Sequence, residues 1–90
     1  MNKTVVTVVG KDNVGIIAKV CTYMAENNIN ILDISQTIVS GYFNMMMITE
    51  SDYSRKDVPT MAQELEQIGK EIGVTIQIQN AEIFEKMHRI

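Results

Sequence analysis

Residues 3–26 read KTVVTVVGKDNVGIIAKVCTYMAE, and the changes of pattern along them decide the fold. Lys3 to Val9 is rich in valine and threonine, whose branching at Cβ suits a pleated strand. Val5 and Val9 fall on one parity and Val6 and Val8 on the other. A strand apolar on both faces belongs inside a sheet rather than at its edge. Gly10-Lys11-Asp12-Asn13 interrupts it with turn residues. From Val14 to Glu26 the period lengthens. Val14, Ile17, Val20, Cys21 and Met24, spaced by three and four, predict one apolar stripe on a helix. Asp12 or Asn13 is placed to accept hydrogen bonds from the first free amides of that helix, and Asn27-Asn28 ends it.

The same reading continues outward. Ile29 to Ser40 predicts a long strand, with Leu32, Ile34 and Ile38 sharing a parity with Asn30 and Gln36. Gly41 marks a tight turn, and Phe43 to Thr49 returns as the second arm of a hairpin. Glu50 to Lys56 is a polar loop. Asp57 to Ile72 predicts a second helix, with Asp57 at its N-cap, Pro59 in the first turn and Gly73 as the stop. Its stripe is Val58, Met61, Ala62, Leu65, Ile68 and Ile72. Val74 to Gln79 alternates as a half-exposed strand. Ile83, Phe84, Met87 and Ile90 space a short tail helix over 81–90.

The order is β-α-β-β-α-β plus a tail, in a single domain over residues 1–90. The right-handed crossover rule puts both helices on one face of the sheet. The expected architecture is an α+β ferredoxin-like sandwich with an antiparallel four-stranded sheet in the order 4-1-3-2. The second strand then lies at an edge.

Composition narrows the function. The net charge is −3, from 8 basic and 11 acidic residues, so there is no electrostatic reason to bind nucleic acid. Gly41-Tyr42-Phe43 is half of an RNA-stacking pattern, but the first strand carries no aromatic. No apolar run approaches the ~20 residues that span a bilayer. The single cysteine, Cys21, excludes an internal disulfide, and a cytoplasmic setting is the default. Without a thiolate pair in the first loop there is no soft-metal site, and no metal or cofactor is expected. Arg55 and Arg89 lie far from that loop, so an acyl-phosphate hydrolase lacks its fixed cation. Cys21 on an apolar stripe and His88 in the tail form no catalytic pair.

The remaining constellation is Gly10 through Ile16 with Asn30. Gly10 lets the chain turn out of the first strand, and Gly15 lets a group approach the start of the helix. The first helical amides are unpaired and partly positive, which suits a small carboxylate. Asp12 suits an ammonium, and Asn30 offers both a donor and an acceptor. Together they suit a zwitterion such as a free amino acid. The same residues also serve a plain structural reading, in which Asp12 caps the helix and Gly15 allows helix–strand contact.

VVTVVGKDNVGIIAKV followed by ENNINILDISQTIVSGYFNMMM resembles an ACT domain over nearly the whole chain. The signature is a glycine, an aspartate or asparagine, then Pro-Gly and an aliphatic residue, with an Asn-Ile step opening the second strand. Gly10, Asp12, Gly15 and Ile16 match it, as do Asn30 and Ile31. Asn13-Val14 stands where the signature has Arg-Pro. The chain is most similar to free-standing single-module ACT proteins, and to the ACT modules of the glycine cleavage system repressor and of formyltetrahydrofolate deformylase. The resemblance implies a non-enzymatic regulatory module that binds an amino acid through Gly10, Asp12, Asn13, Val14, Gly15, Ile16 and Asn30.

A long unpaired edge strand is a liability that pairing with a symmetry mate removes. A homodimer through the second strand is therefore expected, and the resemblance implies the same. It would place Asn30 of one copy near Asp12 to Gly15 of the other. Gln36 interrupts the core-facing parity and marks a bulge, a polar contact at the seam or simply a solvated glutamine. In Met45-Met46-Met47 at least one side chain must face away from the helices; the tail stripe is a candidate cover. With no attached output domain expected, output passes through a partner or through self-association; the missing arginine and proline motivate the alternative, a protein-interaction subunit with a degenerate ligand site. A small enzyme built on Lys11 and Asp12 is the third reading.

Overall fold

The computed structural model describes residues 2–81. Strand β1 runs Asn2–Lys11, α1 Ile16–Glu26, β2 Asn30–Val39, β3 Tyr42–Ser51, α2 Val58–Ile72 and β4 Val74–Asn80. The sheet order is β2-β3-β1-β4 with every neighbouring pair antiparallel, which is the expected 4-1-3-2 order read from the other edge. The expected tail helix over 81–90, with its stripe of Ile83, Phe84, Met87 and Ile90, lies outside the described residues apart from Ala81.

Alternation in β1 assigns its two faces. Val6 and Val8 oppose Met47 and Met45 on one side and Ile78 and Ile76 on the other, and this face carries both helices. The core between sheet and helices holds Val6, Val8, Ile16, Val20, Phe43 and Leu65, and four methionines: Met24, Met45, Met47 and Met61. Met46 points to the opposite face and is exposed, as the strand alternation requires.

Local chemistry explains α2 as anticipated. The Asp57 side chain accepts a hydrogen bond from the Thr60 amide at 3.0 Å, Pro59 occupies the first turn, and Gly73 closes the helix in the left-handed region. Ser40 and Gly41, at φ 53° and 80°, make the two-residue hairpin turn whose twist matches its strands.

Three expectations are corrected. Helix α1 begins at Ile16 rather than Val14, and its buried residues are Ile16, Val20, Tyr23 and Met24. Val14 is 100% exposed, because the left-handed Gly15 turns the chain between it and the helix, and Ile17, inside the helix, is partly exposed. In β2 the register shifts between Ile31 and Asp33, so the bulge is at Leu32. It is not at Gln36, which pairs in register with Met45. Ile34, Gln36 and Ile38 lie on the helix-bearing face as expected, opposite Met47, Met45 and Phe43, whereas the extra residue puts Ile31, opposite Thr49, rather than Asn30 on that face.

Candidate functional site

The glycine turn is built from three directions. Gly10 does not turn the chain out of β1, as the sequence suggested. It pairs with Phe43 and Val74, and a Cβ there would lie 2.8 Å from Val74 Cγ1 and 2.9 Å from Val74 Cα. Its role is close backbone approach. The Asp12 amide donates to Gly41 O at 2.9 Å and so ties the turn to the β2–β3 hairpin. The Asn13 side-chain amide donates to Lys11 O at 3.3 Å and to Ile72 O at 3.0 Å. Neither Asp12 nor Asn13 caps α1. Asn13 instead serves a carbonyl at the end of α2.

Gly15 therefore becomes the N-cap, at φ 94°, with no side chain capping the helix and no acidic residue in its first turn. The first helical bond runs from the Lys19 amide to Gly15 O. The amides of Ile16, Ile17 and Ala18 precede it, and such groups are the positive end of a helix. Space at Gly15 is open: a Cβ there would meet nothing within 4 Å. Asp12, Val14 and Gly15 are exposed, and Ile16 is buried as the anchor of the first turn. This arrangement can receive a small anion, with Asp12 beside it for a cation.

Within one chain Asn30 is not part of this turn. It pairs with Glu50 at one end of the sheet, whereas Lys11 pairs with Tyr42 at the other. β2 is an edge, and nine of its ten residues are exposed, including Leu32, Ile34, Ile38 and Val39. The helix layer stops short of this strand, so Ile34 and Ile38 (43% and 56% exposed) form a ledge on the helix-bearing face.

Sequence reasoning missed a polar cluster at the other end of the helices. Tyr23 OH donates to Glu64 Oε1 at 2.7 Å, and Lys56 Nζ reaches the same oxygen at 2.8 Å and Asn27 Oδ1 at 2.5 Å. Lys56 also stands 5.8 Å from the Tyr23 ring centroid. Hydrogen bonds from Lys56 and then Tyr23 hold the Glu64 carboxyl below the usual range. Burial, then the Glu64 contact, pushes the Tyr23 phenol well above its ordinary value. The cluster joins the end of α1 to the first half of α2 and the loop before it, segments far apart in sequence, and no local spacing announces it.

Among the described residues no group of three or more His, Cys, Asp or Glu side chains could hold a metal ion, and no helix is long and apolar enough to cross a membrane. Comparison with known proteins gives a consistent result. A model of the ACT domain matches residues 2–79. A UPF0237 protein of Bifidobacterium longum is 59% identical over 90 residues, covering 100% of both chains. An ACT domain protein from Streptococcus pneumoniae superposes with a TM-score of 0.84 at 45% identity, over 93% of this chain and 94% of that one. A formyltetrahydrofolate deformylase from Pseudomonas syringae pv. tomato gives a TM-score of 0.81 at 26% identity, over 89% of this chain and 28% of that one.

Proposed function

The chain belongs to the ACT-domain family of regulatory small-molecule-binding modules, and from that premise we propose that it senses an amino acid, or a similarly small metabolite, at the interface of a homodimer formed through β2. The observation that carries this reading is the open, uncapped first turn of α1 beside an unpaired strand edge. A carboxylate at the Ile16–Ala18 amides and an ammonium at Asp12 match the two ends of a zwitterion. Antiparallel self-pairing of β2 sets Asn30 against the Val39 end of the second copy, next to the hairpin that Asp12 holds.

Burial of the ledge supports association. Covering the exposed half of Ile34 and Ile38 in both copies contributes roughly 3–6 kcal/mol, at ~1.5–3 kcal/mol for a whole side chain. Association itself costs about 4–15 kcal/mol, so the backbone hydrogen bonds of the joined edges must supply the surplus. A sensing affinity of ~10–100 μM corresponds to about −5.5 to −7 kcal/mol. A cytoplasmic setting accompanies this reading.

Sedimentation equilibrium and calorimetry across the twenty amino acids test it. The chain is expected to weigh in as a dimer, Ile38→Lys as a monomer, and Asp12→Ala as a dimer that no longer binds. A monomeric parent protein, or no heat with any amino acid, refutes the proposal. One observation favours a protein-interaction subunit instead: the Asn13 amide is consumed inside the chain and its neighbour Val14 is a bare apolar side chain. That reading predicts a stable complex with an unrelated protein and no metabolite response.

A further inference from the structure

A cleft of about 210 Å³ opens at the end of the sandwich opposite the glycine turn, between the start of β2 and the start of α2. Its floor is Ile29 and Met61, both buried. Ser51 lines it from the last position of β3, on the same strand parity as core-facing Met47 and Thr49. Ser51 is 5% exposed, and its hydroxyl has no hydrogen-bond partner among the described residues. A buried hydroxyl left unpaired is destabilising, so native structures rarely keep one without a reason.

The charges around the cleft are unequally engaged. Lys56 is taken up by Glu64 and Asn27. One oxygen of the Asp52 carboxylate accepts from both the Ser54 amide, at 2.9 Å, and the Ser54 hydroxyl, at 2.7 Å. Arg55 is held by its backbone amide to Asp52 O at 3.1 Å, while its guanidinium makes no ion pair among the described residues. The cleft thus has an apolar floor, an unpartnered hydroxyl and a planar cation that no salt bridge holds among the described residues. That cation lies near enough to the Asp52 carboxylate to help the Ser54 hydrogen bonds keep that group ionised, and a guanidinium is the donor geometry that matches a carboxylate.

We propose that this cleft binds a short-chain monocarboxylate, with the carboxylate on Arg55, the Ser51 hydroxyl as a second donor and the alkyl body on Ile29 and Met61. The cleft, at about 210 Å³, has room for an acid of a few carbons. The carboxylate of Asp52 at the rim disfavours a dianion such as phosphate. The site uses no residue of the glycine turn and needs no second copy, so it stands apart from the function proposed above.

Amide ¹H–¹⁵N spectra of the full chain test this, with sodium butyrate as the probe, sodium chloride as the ionic control and alanine as the amino-bearing arm. Saturable shifts confined to Asn28, Ser51 and Arg55 are expected with butyrate. Weaker shifts with alanine support a ligand lacking an ammonium. Equal or stronger shifts overturn that preference and make the cleft an amino-acid site. The apparent affinity should fall at least tenfold in Arg55→Ala and in Ser51→Ala and only partly in Arg55→Lys, while the thermal midpoint of Ser51→Ala stays level or rises. The proposal is overturned if butyrate gives no saturable shift. It is equally overturned if Arg55→Ala, an exposed change that leaves the fold intact, binds as the parent does, or if Ser51→Ala lowers the midpoint without weakening binding.

Discussion

Replacing Gly69 with alanine sets two physical effects against each other. Gly69 lies inside α2, where alanine is favoured over glycine by about 1 kcal/mol. By propensity alone the variant should be more stable. The structure says otherwise. A Cβ at Gly69 would sit 2.5 Å from Val74 O and 3.5 Å from Ile76 Cγ1, whereas ordinary contact begins at 3.4 Å. The obstructing atom is a backbone carbonyl at the start of β4 and cannot rotate aside. Helix and strand must part by about 1 Å, and overpacking of this kind costs ~1–3 kcal/mol or somewhat more. Gly69 O also accepts the Gly73 amide that closes the helix, so the cap shifts with it. A rigid carbonyl puts the cost at the upper end, ~3 kcal/mol, and the ~1 kcal/mol propensity gain leaves a net loss of ~2 kcal/mol, or a fall in Tm of roughly 8–16 °C at ~4–8 °C per kcal/mol for a domain of this size. Thermal unfolding followed by circular dichroism at one fixed protein concentration measures it, with exposed Gln67→Ala as the control. A midpoint equal to or above that of the parent would refute the close α2–β4 spacing.

The Asn13 side chain gives a second test. Asn13→Ala should lose about 0.5–1.5 kcal/mol in urea unfolding, the ordinary net worth of a hydrogen bond. Asn13→Asp should be worse than alanine, because a carboxylate would face the carbonyls of Lys11 and Ile72 at the negative end of α2. Glu64 sets a pH dependence. Its folded value is depressed by Lys56 and Tyr23, so its contribution is present above the ordinary glutamate range and is lost as pH falls through the lower folded value. Glu64→Gln should flatten the acid limb of a stability–pH curve and leave the limb above neutrality unchanged. The effect is modest, because the side chain is 42% exposed; an unchanged acid limb would contradict the assignment.

Legibility in the sequence tracked how local the determining interaction is. Helix α2 was readable from end to end, because Asp57, Pro59 and Gly73 act on the backbone within a turn of themselves. The strand order followed from chain order and the handedness of crossovers. The start of α1 was not readable. Val14 has helical spacing to Ile17 and Cys21, yet the left-handed Gly15 resets the backbone between it and them. The faces of β2 were legible beyond the bulge, where Ile34, Gln36 and Ile38 keep the core-facing parity, but not before it: the residue inserted at Leu32 puts Ile31 rather than Asn30 on that face, and nothing in its chemistry marks it as extra. At the candidate site, Gly15 and Asp12 were recognisable by type. The partner of Asn13 lies 59 positions away at Ile72, and the close approach of Val74 to Gly10 is likewise long-range. The Tyr23–Glu64–Lys56 cluster has the same character.

The interior is filled to an unusual degree by sulfur. Met24 from one helix, Met61 from the other, and Met45 and Met47 from the sheet meet across the core. Unbranched thioethers reshape readily where branched aliphatics resist. The layers can therefore slip slightly past each other without opening voids, which suits a module whose task is to respond. The same filling is a chemical vulnerability. One oxygen atom added to any of those four sulfurs would plant a polar sulfoxide among apolar neighbours. Among the described methionines outward-facing Met46 stands first in the path of a peroxide, and the cooperative fold would be lost only after the oxidant reached the four behind it.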